Sequence, residues 1–166
     1  CLILGENGRM ARAAPPLAIS EWFTTPEPLA LDALKGKVVL LHAFQMLCPA
    51  CVAHGTPQAE RAHRLFQNAD LQVIGVHTVF EHKAAMTPVA LEAFIHEYRL
   101  TFPIGVDQQD ADSPLPVTMS RYDMRGTPSS VVIDRVGTIR HHGCGQETDM
   151  SLGYIIGALL GEKPDA

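Results

Sequence analysis

The sequence predicts an α/β fold: a mixed central β-sheet with helices on both faces, followed by a C-terminal β-hairpin and a last helix. Three observations predict it. Two apolar runs, Val38–Phe44 and Leu71–Thr78, alternate with segments of helical periodicity. Two later β-rich runs, Ser129–Ile133 and Thr138–His142, flank Asp134-Arg135-Val136-Gly137, which reads as a hairpin turn. A stripe of Leu152, Ile155, Ile156, Leu159 and Leu160 then marks a terminal helix. Strand–helix alternation gives parallel pairing, and the hairpin adds antiparallel strands.

Each element has its own signal. Residues 10–36 are proline-rich and irregular, with a short strand or hairpin expected around Leu29–Leu31. Val38–Phe44 is continuously apolar apart from His42, the pattern of a strand covered on both faces. The next helix starts with Pro49 at its first position and Cys48 as its cap. Ala59, Ala62, Leu65 and Phe66 are read as its buried side, and Gly55 and Pro57 should kink or break it near its first turns. Thr87-Pro88 caps a helix striped by Leu91, Phe94, Ile95 and Tyr98. Phe102–Val106 is a short strand, Gln108–Pro116 a polar loop, and Val117–Tyr122 a helical turn or two. Thr148 or Asp149 caps the last helix and Gly161 stops it.

The chain has 166 residues, enough for one domain, expected over residues 10–166. A chain of this length buries roughly 70% of its unfolded surface and needs no disulfide or metal staple. Hydrophobic residues are 46% and charged residues 19%, a globular balance. No apolar run approaches the roughly 20 residues of a membrane span. A net charge of −5 with scattered Lys and Arg argues against a nucleic-acid partner. The chain begins with Cys1. Residues 1–9 read as a disordered or non-native extension ahead of Met10, and the expected location is cytoplasmic. The alternative is a periplasmic lipoprotein anchored through Cys1.

The chemistry lies in Cys48-Pro49-Ala50-Cys51. A strand that runs directly into a helix opening with C-x-x-C places the first sulphur among free helical N–H groups and at the positive end of the dipole. A thiolate there is stabilised. Cys51 lies one turn deeper, near enough to close a disulfide and move two electrons through a mixed disulfide. A zinc site would need a second pair of similar spacing, and none is present. Two inert core thiols are the other reading, and the strand–helix placement argues against it.

The segment from Lys35 to Cys51, KGKVVLLHAFQMLCPAC, resembles the thioredoxin-like redoxins of the TlpA type, related to the AhpC/TSA family. A second match is Tyr122 to Arg140, with Gly126-Thr127-Pro128 at its centre, and Val73–Thr78 with Glu81 also looks like this group. The resemblance runs from about Trp22 to Leu160. It implies a thioredoxin-like fold and a thiol–disulfide oxidoreductase. Cys48 and Cys51 would be catalytic, and Pro128 a cis-proline facing them. Thr127, Pro128, Pro49 and Ala50 would contact substrate. No metal and no cofactor are implied. The partners would be a protein or small-molecule thiol or disulfide and a separate electron donor. The chain departs from the pattern in three places: Leu47 where many relatives have Trp, His42 where thioredoxins have a buried acid, and Pro57 one residue later than usual.

Other residues carry two readings. His42 is a candidate to take a proton from Cys51; the plainer reading, a core histidine on its strand, is preferred. Glu81 either tunes the cysteines or caps its loop. Phe44 and Leu47 read as core and apolar rim, Trp22 as packing of the N-terminal segment, and His54, His63, His82 and His96 as surface or helix residues. Cys144, in a Gly-Cys-Gly loop, is expected at the same end of the sheet as Cys48 but beyond the reach of about 7 Å between Cα atoms that a disulfide needs. It is either a third, substrate-contacting thiol or filler. A peroxiredoxin-like peroxidase ranks second, because such enzymes place Thr and Pro where this chain has Gln45 and Leu41. A copper-binding module ranks third, because its cysteine spacing is usually one residue longer.

Overall fold

A computed structural model describes residues 12–163. The readings of Cys1, Met10 and residues 1–9 lie outside the described residues. Seven strands form one sheet: β1 (Arg12–Ala13), β2 (Ile19–Phe23), β3 (Val38–Phe44), β4 (Leu71–His77), β5 (Ile104–Asp107), β6 (Ser129–Ile133) and β7 (Thr138–Cys144). Their order is β1-β7-β6-β3-β4-β5-β2. β3 pairs with β4, and β4 with β5, in parallel. β6 runs antiparallel to both β3 and β7.

β3 sits at the centre, and all its residues are buried. Alternation along it divides the core. Val38, Leu40 and Phe44 face one layer; Val39, Leu41 and Ala43 face the other. Each of the Val, Leu and Phe side chains among them is worth about 1.5–3 kcal/mol when fully buried. The first layer is covered by α1 (Thr56–Leu65), α2 (Pro88–Glu97) and α4 (Asp149–Gly161), through Ala59, Leu91, Ile95, Leu152, Ile156 and Leu159. The second is covered by α3 (Val117–Arg121), through Met119, with Tyr122 beside it, and by the N-terminal segment with Trp22 packed against it. Thr87 and Thr148 cap α2 and α4 by accepting the Ala90 and Ser151 N–H groups. In the β6–β7 turn Asp134 Oδ1 accepts the Val136 and Thr138 N–H groups, and Gly137 takes a φ of +91° that favours glycine.

Three expectations need correction. Leu29–Leu31 forms no strand or hairpin: a 3₁₀ turn covers Leu31–Leu34, and the early strands are β1 and β2. They are edge strands in a proline-rich stretch, with no apolar run to announce them. The strand expected at Phe102–Val106 is β5, which begins at Ile104 because Pro103 has no N–H for the ladder. Leu65 is 76% exposed. It lies six residues beyond Ala59, well off the face that Ala59, Ala62 and Phe66 share.

Among the described residues, no helix is long and apolar enough to cross a membrane. β3 and β4 end, and β6 begins, at the same end of the sheet: Phe44 is opposite His77, and Ala43 is opposite Ser129. The cysteine pair lies at that end.

Candidate active site

The chain leaves β3 at Phe44, makes a turn over residues 45–48, and enters a helix at Pro49. The turn is closed by the Cys48 N–H on the Gln45 carbonyl at 3.2 Å. Cys48 stands at the cap of the helix: its carbonyl accepts the Val52 N–H at 3.0 Å, and its sulphur accepts the Cys51 N–H at 3.3 Å. Negative charge on this sulphur would meet that N–H and the positive end of the helix. Pro49 is exposed and Ala50 half-buried at the rim.

The helix then widens. Cys51–Gly55 is a π-helical turn, closed by the Thr56 N–H on the Cys51 carbonyl, and it runs into α1. Pro57, which has no N–H to donate, sits just beyond. The expected kink at Gly55 and Pro57 therefore takes the form of an extra residue in one turn.

The sulphurs of Cys48 and Cys51 are 2.6 Å apart. Cys48 is half-buried; Cys51 is fully buried. Burial pushes the Cys51 thiol up to about 12, with the Cys48 neighbour adding to the rise; hydrogen bonds from the Gln45 backbone and Thr127 oppose it. The Thr127–Pro128 bond is cis, and the Cys48 thiol donates to the Thr127 carbonyl at 3.4 Å. Pro128 is buried against Gly55, where an added Cβ would lie 2.7 Å from the Pro128 Cβ and 2.8 Å from His42 Cε1.

His42 is buried on the α1 side of β3, stacked on Phe44 with ring centroids 5.3 Å apart. Its Nε2 is 3.0 Å from Thr56 Oγ1. Burial lowers its pKa to about 3. Glu81 is exposed; its N–H donates to Gln45 Oε1 at 3.3 Å, and its carboxylate makes no hydrogen bond or ion pair among the described residues. Leu47, 57% exposed, forms an apolar rim beside Cys48, while Phe44 is core. Cys144 is the exposed last residue of β7, opposite Ser129, and the next N–H, of Gly145, donates to the Pro128 carbonyl at 2.8 Å.

Two groups beside the cysteines go beyond the residues expected to form the site. Gln45 Oε1 also accepts the Phe80 N–H at 3.2 Å, and His77 Nε2 accepts the Met46 N–H at 3.4 Å. Both are polar residues at or just past the end of an apolar strand run, a signal that sequence carries. Glu147 is the second. Ser130, opposite His42 in register, donates to one carboxylate oxygen, and His141 Nε2 lies 2.6 Å from the other. Burial pushes this carboxyl up, but the bonds from His141 and Ser130 outweigh it and hold it below its ordinary value. A Cβ at Gly143 would overlap the same carboxylate.

The model of the AhpC/TSA family matches residues 12–142, and the chain belongs to that family. The crystal structure of a thioredoxin-like superfamily protein is 49% identical, with a TM-score of 0.90, over 93% of this chain and 100% of that one. A thiol-disulfide isomerase from Corynebacterium glutamicum is 46% identical, with a TM-score of 0.85, over 90% of this chain and 98% of that one. Protein DipZ of Mycobacterium bovis is 31% identical over 131 residues, 77% of this chain. The chain spans only 18% of the length of DipZ. The fold is thioredoxin-like.

Proposed function

We propose that this AhpC/TSA-family chain is a thiol–disulfide oxidoreductase in which Cys48 attacks and Cys51 resolves. One observation carries the reading: two adjacent sulphurs at a helix start, one reachable and capped by an N–H, the other fully buried. The Cys48 thiolate attacks one sulphur of a substrate disulfide. A mixed disulfide forms and the first substrate thiolate leaves. Cys51 then attacks the Cys48 sulphur, closing the Cys48–Cys51 disulfide and releasing the second substrate thiolate. Two electrons pass from the dithiol to the substrate, and the Cys51 proton goes to a released thiolate. A separate dithiol donor restores the reduced pair. Thr127, beside cis-Pro128, presents backbone to an extended substrate strand, and Pro49 and Ala50 form the opposite rim.

His42 belongs to the support of this site. With its pKa lowered to about 3 by burial it is a weak base, and its Nε2 lies 3.0 Å from the Oγ1 of Thr56, the residue whose N–H closes the π-helical turn, so its role is to steady that turn. Glu81 is assigned to its loop, which Gln45 holds. A peroxidase reading draws less support. The residue in the place of the peroxidase threonine is Gln45, and its amide oxygen is already occupied by two N–H groups.

Insulin reduction with a dithiol donor tests the proposal. Cys48→Ser should abolish turnover, and Cys51→Ser should trap the mixed disulfide, visible by mass. Full turnover by Cys48→Ser, or faster consumption of hydrogen peroxide than of disulfide, would overturn it.

A further inference from the structure

We propose that Gln45 and His77 are positioning residues for the cysteine pair, acting as a reciprocal clamp across the ends of β3 and β4. This rests on the reading of Cys48 and Cys51 as a redox pair. The two strands are parallel and paired to their last residues, Phe44 and His77, so both chains leave at the same end. β3 continues into the turn that carries Cys48; β4 continues into residues 78–81. Each chain's side chain holds the other's backbone. Gln45 Oε1 receives the Phe80 and Glu81 N–H groups at 3.2 and 3.3 Å, and His77 Nε2 receives the Met46 N–H at 3.4 Å. The backbone of Gln45 also closes the cysteine turn: its carbonyl accepts the Cys48 N–H at 3.2 Å, and Cys48 Sγ in turn accepts the Cys51 N–H at 3.3 Å. The clamp therefore sets the one turn from which both sulphurs are placed.

The state of His77 supports a positioning role over a packing one. The ring is fully buried, its centroid 5.2 Å from that of Phe44. Accepting at Nε2 puts the ring proton on Nδ1, and Nδ1 has no hydrogen-bond partner among the described residues. A buried orphan donor is costly. Leu or Phe would fill the space without that cost, so the acceptor at Nε2 is what a histidine adds here. Gln45 is likewise buried, 3% exposed, and uses its amide oxygen on the neighbouring loop.

The test compares His77→Phe, His77→Gln and Gln45→Met with the wild type. His77→Phe keeps the ring and removes the acceptor. His77→Gln restores an acceptor. Gln45→Met keeps length and cuts the other half, and it serves if His77→Phe fails to fold. The readouts are the equilibrium constant of the pair with glutathione and the alkylation rate of Cys48 at fixed pH. We expect both to change at least threefold in His77→Phe and in Gln45→Met, and His77→Gln to return within twofold of the wild type. A lower melting temperature with both readouts unchanged in the folded variants means packing alone and overturns the clamp. A wild type that shows no glutathione-dependent oxidation of the pair defeats the redox reading itself, a different and separable result.

Discussion

Cys48 and Cys51 are the same residue type three positions apart, and their surroundings make them unlike. Cys48 caps the helix and is half-buried; Cys51 is sealed, its thiol pushed up to about 12 by burial. Alkylation of the reduced protein near pH 6 should therefore label Cys48 first, as peptide mapping would show; preferential labelling of Cys51 would contradict this. The two buried histidines give a second prediction. Burial lowers His42 from 6.5 to about 3 and His77 to about 4, so the folded state keeps both neutral. The unfolded chain protonates them as pH drops through 6.5. Their contribution is intact above pH 6.5 and is lost as pH falls towards 4 and then 3. Each histidine should cost roughly 1.4 kcal/mol of stability per pH unit within its window. Urea unfolding at pH 7, 6 and 5 checks it, and stability that stays flat over that range would contradict it. The cysteines and Thr127-Pro128 were legible because short motifs carry them. Ser130, His141 and Glu147 were not, since their meeting depends on the β6–β7 register and on the loop before α4.

At the scale of elements, the widened turn Cys51–Gly55 packs against Pro128 through Gly55. Gly55 is packed so closely that a methyl group has no room beside Pro128 and His42, at 2.7 and 2.8 Å. Helix propensity alone would make Gly55→Ala stabilising by about 1 kcal/mol. Overpacking costs about 1–3 kcal/mol, and with neighbours this close it should win. We predict net destabilisation by denaturant unfolding, together with a changed Cys48 alkylation rate; a stabilised Gly55→Ala would contradict the packing described. Gly55 and Pro57 announced an irregular helix in the sequence, but the choice between a kink, a break and a π-helical turn depends on packing over Pro128. β1 and β2 were illegible for another reason. They are edge strands, and β2, Ile-Ser-Glu-Trp-Phe, gains its pairing from β5 across 80-odd residues, as in Trp22 opposite Gly105.

At the scale of the whole molecule, the order of strands puts the chemistry where it is. β3 and β4 run parallel and finish together; β6 runs against β3 and starts there, and β7 returns to the same end at Cys144. A crevice beyond the carboxyl ends of parallel strands is where open α/β sheets place their sites. This much of the architecture was legible, because Val38–Phe44 and the hairpin around Asp134–Gly137 specify the centre of the sheet. A redox titration of the whole chain tests the dithiol role of Cys48 and Cys51 most directly. Equilibrate it across glutathione ratios, trap the thiols, and count the labels on each cysteine by mass. Cys48 and Cys51 should lose their labels together in one two-electron step that Cys48→Ser abolishes, while Cys144 keeps its label throughout. Independent oxidation of Cys48 and Cys51, or a step that pairs either with Cys144, would contradict it.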